Sequence, residues 1–168
     1  MPFSVAVVAS QLITAIDTQS GGQYAIRPTT GNVALLARWM ANEGGLWADN
    51  PLNTTYQAGS YPHQFTSAGV DSGSPIYPSM NVGIRDTALT LLGGSSYRKI
   101  LTELALGNAS CTAFANAVIR SPWAASHYGY NAAAFCDAAP SGALRPGHRG
   151  RHGGAKPRHP TPSKKHRH

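Results

Sequence analysis

A basic tail restricts folding to the first 144 residues of this chain. Segment 145–168 carries eight Lys or Arg and five His residues among glycines and prolines, with no acidic residue and no apolar side chain larger than alanine. It buries too little apolar surface to offset the entropy lost on ordering, so we expect it to be disordered. Segment 1–144 holds six basic and seven acidic residues, a net charge of −1, and is enough chain for one domain.

Helical spacing of apolar residues recurs along this domain and predicts a mainly α fold. We predict helices over 5–16, 81–92, 96–107 and 111–120, and another that ends near Glu43. Ser96 is the expected cap of the helix over 96–107, and Gly107 its stop. A Gly-, Ser- and Pro-rich stretch over 59–74 predicts long loops or one small hairpin, which gives the fold an α+β character.

Glu43 is one of two glutamates in the chain and lies where a short apolar helix breaks at Gly44 and Gly45. Residues three, four and seven positions apart share a helix face, so Trp39, Met40 and Leu36 are its expected neighbours. Partial removal of the carboxyl from water raises its pKa, the direction that a proton donor to a leaving group requires. The alternative is a surface glutamate at a fraying helix end.

The order of motifs around Glu43 resembles the lysozyme-like superfamily. A helix ends in Glu43-Gly-Gly, the loop Ala-Asp-Asn-Pro-Leu-Asn-Thr-Thr follows over 48–55, then Tyr77-x-Ser79, and Gly-Ile-x-x-Thr over 83–87 opens the next helix. It is similar to the small peptidoglycan-cleaving domains of phages and Gram-positive bacteria, whether lysozyme, lytic transglycosylase or glucosaminidase. The resemblance covers about 33–128. The Gly-Leu-Met-Gln type segment of lytic transglycosylases is absent, and no second carboxylate stands at an obvious partner position.

The resemblance implies cleavage of the β-1,4 bond between aminosugars, with Glu43 as general acid and without a cofactor. Water held by Asp49 or Asp71 then meets the oxocarbenium-like centre, or the 6-hydroxyl of muramic acid attacks it. Tyr77 would orient the acetamido group or stabilise charge. The alternative for Tyr77 is an aromatic residue at the edge of the core, and Asp86 is predicted to be a helix-surface or capping acid.

Further residues of the same region suit a sugar ligand. Short polar side chains that match hydroxyl and acetamido groups are Asn50, Asn53, Thr54, Thr55 and Ser79, and aromatic faces for stacking are Trp47, Tyr56 and Tyr61. The asparagines and threonines have an alternative role, because such side chains also hold their own loops together. Trp39 and Trp123 are expected in the core.

Cys111 and Cys136 lie 25 positions apart, and a disulfide between them would pin the last aromatic segment onto the preceding helix. The alternative is a pair of buried thiols. A cysteine amidase or peptidase that uses either cysteine, with His63 or His127 and an aspartate, is a further alternative.

The tail predicts electrostatic partners. Anionic polyphosphate polymers of a Gram-positive wall would attract its charges, and nucleic acid would bind without sequence preference. The tail histidines have no accompanying cysteine and no ordered frame, so no metal site is expected. We expect a monomer that acts on bacterial peptidoglycan.

The chain lacks a basic leading segment, so we expect no secretory signal. It also lacks a run of about 20 consecutive apolar residues, so we expect no membrane span. The expected location is therefore the cytoplasm until a holin or lysis releases the protein, or the virion itself. A phage tail or virion component that carries a lysozyme-like domain is an alternative function. A nucleic-acid-binding protein is another, although the six basic residues of the domain are scattered.

Overall fold

The computed structural model describes residues 4–43, 46, 49–53, 76–123 and 131–137. Within these ranges the chain forms six α-helices: α1 Val5–Gln19, α2 Thr30–Asn42, α3 Met80–Gly93, α4 Arg98–Ala105, α5 Cys111–Ile119 and α6 Ala132–Asp137. No strand occurs in these ranges, and the prediction of a mainly α fold is confirmed. The stretch 59–74, where loops or a hairpin are predicted, and the tail 145–168 lie outside the described residues.

Helix α1 forms the centre of the apolar core. It packs against both α2 and α3, and its inward face is fully buried: Val8, Ala9, Leu12, Ile13 and Ile16. Ser4 begins the helix, because its side chain accepts a hydrogen bond from the Val7 N–H at 3.2 Å. None of the described helices is long and apolar enough to cross a bilayer.

The start of α2 is locked against the end of α4. Asn32 accepts a hydrogen bond from the Thr29 N–H at 2.8 Å and donates one to the Leu104 carbonyl at 3.1 Å. A Cβ on Gly31 would lie 2.5 Å from the carbonyl oxygen of Gly107, so only glycine permits this approach. The buried polar network at this end holds α2 in place, and Glu43 follows at the opposite end.

Helix α4 begins later than the sequence predicts. A single 3-10 turn over Ser95–Tyr97 precedes it, and no side chain caps the helix at Tyr97. The expectation that Ser96 caps this helix is therefore wrong, because Ser96 lies inside the preceding turn. The turn places the Tyr97 ring against Trp123, with ring centroids 5.7 Å apart.

A disulfide joins α5 to α6, since Cys111 and Cys136 are bonded with their Cα atoms 5.9 Å apart. Disulfide formation is thus confirmed, and the described chain holds no free thiol. Helix α6 also buries the Phe135 side chain, and Asn42 at the end of α2 donates a hydrogen bond to the Phe135 carbonyl at 3.4 Å. These contacts place α6 beside the end of the helix that precedes Glu43.

Candidate active site around Glu43

Glu43 is the residue at which α2 ends. Its backbone has φ −81° and ψ 4°, and its N–H donates to the Trp39 carbonyl at 3.0 Å, which closes the last turn. The side chain is half-buried. The prediction that Glu43 stands at a helix end beside an apolar stripe is confirmed, because Leu36 and Met40 are fully buried on that helix. Gly44 and Gly45 lie outside the described residues.

A buried indole holds the carboxyl group of Glu43. The Nε1–H of Trp39 donates a hydrogen bond to Glu43 Oε1 at 3.1 Å, across one helical turn. Trp39 is 0% exposed, so this donor comes from the protein interior. One oxygen of the carboxyl group is therefore oriented by the core.

Three further aromatic rings fix the position of Trp39. Its ring meets Phe114 edge-on at a centroid distance of 5.9 Å and Trp123 at 5.2 Å. Trp123 in turn contacts Tyr97. Such edge-to-face pairs add about 0.5–1.5 kcal/mol each beyond their burial. The expected core position of Trp39 is confirmed, whereas Trp123 is only partly buried and packs on the edge of the core.

Trp123 also anchors the loop that follows Glu43. Its indole Nε1–H donates to the Leu52 carbonyl at 3.1 Å, and Leu52 is fully buried. Asp49 and Asn53 both adopt left-handed backbone conformations, with φ of 57° and 50°, which these residue types tolerate. We refer to residues 49–53 as the site loop. Trp39 holds Glu43 and Trp123 holds the site loop, and the two rings touch each other.

The site loop packs directly on α3 at a glycine. A Cβ on Gly83 would lie 1.8 Å from the Asp49 carbonyl oxygen and 3.1 Å from Cδ2 of Tyr77. Any side chain at this position would push the loop away. This close approach gives a physical reason for the glycine in the Gly-Ile-x-x-Thr motif.

The polar residues predicted to bind sugar differ in exposure. Asn50 is 1% exposed, which favours the alternative that it holds its own loop together. Asp49 and Asn53 are half-buried, and Ser79 is exposed just before α3. Sugar contacts by these residues stay predictions. The other predicted contacts, Trp47, Thr54, Thr55, Tyr56 and Tyr61, lie outside the described residues, as do Asp71, His63 and His127.

Tyr77 is buried, with 2% of its surface exposed, and its hydroxyl has no hydrogen-bond partner within the described part of the chain. Burial raises the pKa of this phenol, and the negative charge of Asp86 raises it further. The alternative of an aromatic residue at the core edge matches this placement. Direct sugar contact by Tyr77 stays a prediction, and the burial of the hydroxyl weighs against it.

The expectation that Asp86 is a helix-surface or capping acid is wrong. Asp86 is 0% exposed rather than on the helix surface, and its Oδ1 lies 3.4 Å from Nε of Arg85. The charge pattern of α3 did not predict this, because carboxylates are rarely buried. The burial of Asp86 follows from the packing of α3 against both α1 and the Tyr77 segment.

The described residues allow two kinds of catalytic site, a cysteine nucleophile and a metal site, to be examined. Both cysteines are bonded to each other, so neither offers the thiolate nucleophile of a cysteine amidase. No group of three or more His, Cys, Asp or Glu within the described ranges has the geometry to hold a metal ion. Glu43 lies at a helix end, and its carboxyl group accepts a hydrogen bond from a buried donor.

Comparisons with protein-family models, with curated proteins and with solved structures gave no match. A functional assignment therefore rests on the geometry and chemistry of the Glu43 region.

Proposed function

We propose that this protein cleaves the β-1,4 bond between the aminosugars of peptidoglycan, with Glu43 as the general acid. The observation that supports this best is the hydrogen bond from the buried Trp39 indole to Glu43 Oε1. A general acid must present its proton in a fixed direction. Because Oε1 accepts from the indole, the orientation of the carboxyl group is fixed, and in this proposal its proton is delivered to the glycosidic oxygen.

The site loop supports the same proposal. It follows Glu43 in sequence and its backbone is fixed by Trp123 and by close packing on Gly83. A rigid loop with half-buried polar residues such as Asp49 and Asn53 offers oxygen and amide groups to sugar hydroxyls. Fixing these groups in advance reduces the entropy lost when a glycan strand binds.

The second step has two routes within this proposal. In a hydrolase, Asp49 holds the water that attacks the oxocarbenium-like carbon, and the product has a reducing end. In a lytic transglycosylase, the 6-hydroxyl of muramic acid attacks the same carbon, its proton passes to the ionised Glu43, and the product is an anhydro sugar. Glu43 gives up its proton first in both routes.

The tail has a separate role in this proposal. Its eight Lys and Arg residues hold the enzyme near the anionic polymers of a Gram-positive wall. The charge of the tail thus raises the local concentration of enzyme at the substrate, while the nearly neutral domain carries out the cleavage.

Mass analysis of the fragments released from purified Gram-positive walls tests the proposal. We expect disaccharide-containing muropeptides with either a reducing or an anhydro end, which also identifies the route of the second step. Release of peptides alone, with intact glycan strands, would contradict the assignment.

A further inference from the structure

Among the residues that the structure describes, three buried polar side-chain atoms lie close together in sequence and have no hydrogen-bond partner there: the Tyr77 hydroxyl, Asp86 Oδ2 and Thr87 Oγ1. Folded proteins rarely leave such atoms unpaired. Two of these atoms are chemically complementary, because a phenol donates a hydrogen bond and a carboxylate oxygen accepts one.

The backbone brings Tyr77 and Asp86 to the same side of α3. The Tyr77 ring lies against Gly83, since a Cβ there would be 3.1 Å from Tyr77 Cδ2. Gly83 and Asp86 are three positions apart on the helix and so share a face. Both Tyr77 and Asp86 are buried, and the charge of Asp86 contributes to the raised pKa of the Tyr77 phenol. The phenol therefore stays protonated and remains a donor.

The other oxygen of Asp86 is already engaged. Its Oδ1 lies 3.4 Å from Nε of Arg85, which reaches in from the surface. Arg85 thus balances part of the buried charge and leaves Oδ2 directed toward the interior as an acceptor.

We propose that Asp86 is a positioning residue that holds Tyr77 through one buried water, which accepts a hydrogen bond from the Tyr77 hydroxyl and donates one to Asp86 Oδ2. The held Tyr77 ring and the Asp49 carbonyl both pack on Gly83, so the pair keeps the site loop in the shape that receives a glycan strand. This role rests on the proposed function, because the loop is the part of the site that binds sugar.

The expected kinetic effect is on substrate binding. Glu43 is held separately by Trp39, so its proton transfer does not depend on Asp86. Asp86→Ala should raise KM for a soluble glycan fragment about tenfold and change kcat little, since one hydrogen bond to a charged group is lost. Asp86→Asn restores an acceptor and should recover part of the loss.

Glu103→Ala supplies a matched control for a buried acid. Glu103 is 5% exposed and pairs with Lys99 Nζ at 2.6 Å on α4. Its loss should lower stability in the same way as Asp86→Ala and leave KM unchanged. A similar rise in KM for both variants would show a general effect of destabilisation and overturn the proposal.

A double-mutant cycle in urea denaturation tests the pair without any assay of activity. Tyr77→Phe and Asp86→Ala should be non-additive, because either change alone breaks the same water-bridged contact. Amide exchange over 49–53 should be about tenfold faster in Tyr77→Phe than in the wild type, as expected when that contact is lost. Additive effects with unchanged exchange would overturn the pairing, even if the wild-type protein proves inactive on peptidoglycan. Coupling with an unchanged KM would overturn the positioning role.

Discussion

At the scale of single residues, the site depends on two tryptophans that act through their indole N–H groups. Trp39 donates to Glu43, and Trp123 donates to the backbone of the site loop. Helical spacing predicted that Trp39 lies near Glu43. It could not predict the hydrogen bond, because the direction of the indole is set by packing against Phe114 and Trp123 from distant parts of the chain.

Trp39→Phe and Trp123→Phe test separately the hydrogen bond to Glu43 and the hydrogen bond to the site loop. Trp39→Phe removes the donor to Glu43, so we expect kcat to fall about tenfold while KM changes little. Trp123→Phe leaves that donor in place and frees the site loop, so KM should rise instead. Steady-state kinetics on a soluble glycan fragment measure both, and the same change in kcat for the two variants would contradict this division.

Burial of Tyr77 predicts a pH dependence of stability. The pKa of Tyr77 is raised above its ordinary value of 10.0, and burial also raises that of Tyr97. Above about pH 10 the unfolded chain loses protons that the native state retains, so the free energy of unfolding falls as pH rises. Below that pH neither state changes its protonation at these residues, and their contribution is constant.

Urea denaturation between about pH 8 and about pH 11 measures this loss. In Tyr77→Phe the free energy of unfolding should fall less steeply with rising pH than in the wild type. If the free energy of unfolding falls equally steeply with pH in the wild type and in Tyr77→Phe, Tyr77 ionises alike in the folded and unfolded states, which would contradict the prediction.

At the scale of helices, apolar periodicity predicted α1, α3, α4 and α5 to within a few residues, and it predicted the end of α2. The pattern works for these elements because each presents one apolar stripe to a shared core. It failed for Asp86 because α3 is covered on a second side, where polar residues are buried. Such burial depends on segments distant in sequence.

Helix α6 was missed because it is only six residues long and three of those residues are alanine. A signal was present: Asn131 precedes the alanines, and its side chain accepts hydrogen bonds from the N–H groups of Ala133 and Ala134. A helix this short is not stable alone. The disulfide and the burial of Phe135 hold it in place.

Removal of the disulfide tests this account of α6. Cys111→Ser with Cys136→Ser should lower the free energy of unfolding by about 3 kcal/mol, the chain-entropy value for a loop of this size. Amide exchange should rise first over α6, because this short helix then loses its covalent link to α5. A double variant as stable as the wild type would contradict the role given to the disulfide.

At the scale of the whole molecule, the excess positive charge and the proposed active site lie in different parts of the chain. Residues 1–144 carry a net charge of −1, and all of the excess positive charge lies in 145–168. The sequence isoelectric point of about 9.8 is therefore a property of the tail. This division was evident from composition alone, whereas the geometry of the site required the packed helices.

Deletion of 145–168 tests the role of the tail. The truncated chain should bind purified walls more weakly at low salt, and the difference should shrink as salt screens the charges. Cleavage of a small soluble glycan fragment should be unchanged, because that substrate has no anionic polymer. Equal wall binding by the two chains at low ionic strength would contradict the anchor.

The central claim is that Glu43 is the general acid, and Glu43→Gln tests it most directly. The amide keeps the shape of the side chain and an oxygen that accepts the Trp39 hydrogen bond, but it has no acidic proton. We predict that release of new aminosugar ends from purified walls falls at least about a hundredfold with the thermal unfolding midpoint unchanged, while Glu103→Gln remains active. Release at the wild-type rate by Glu43→Gln would contradict the account.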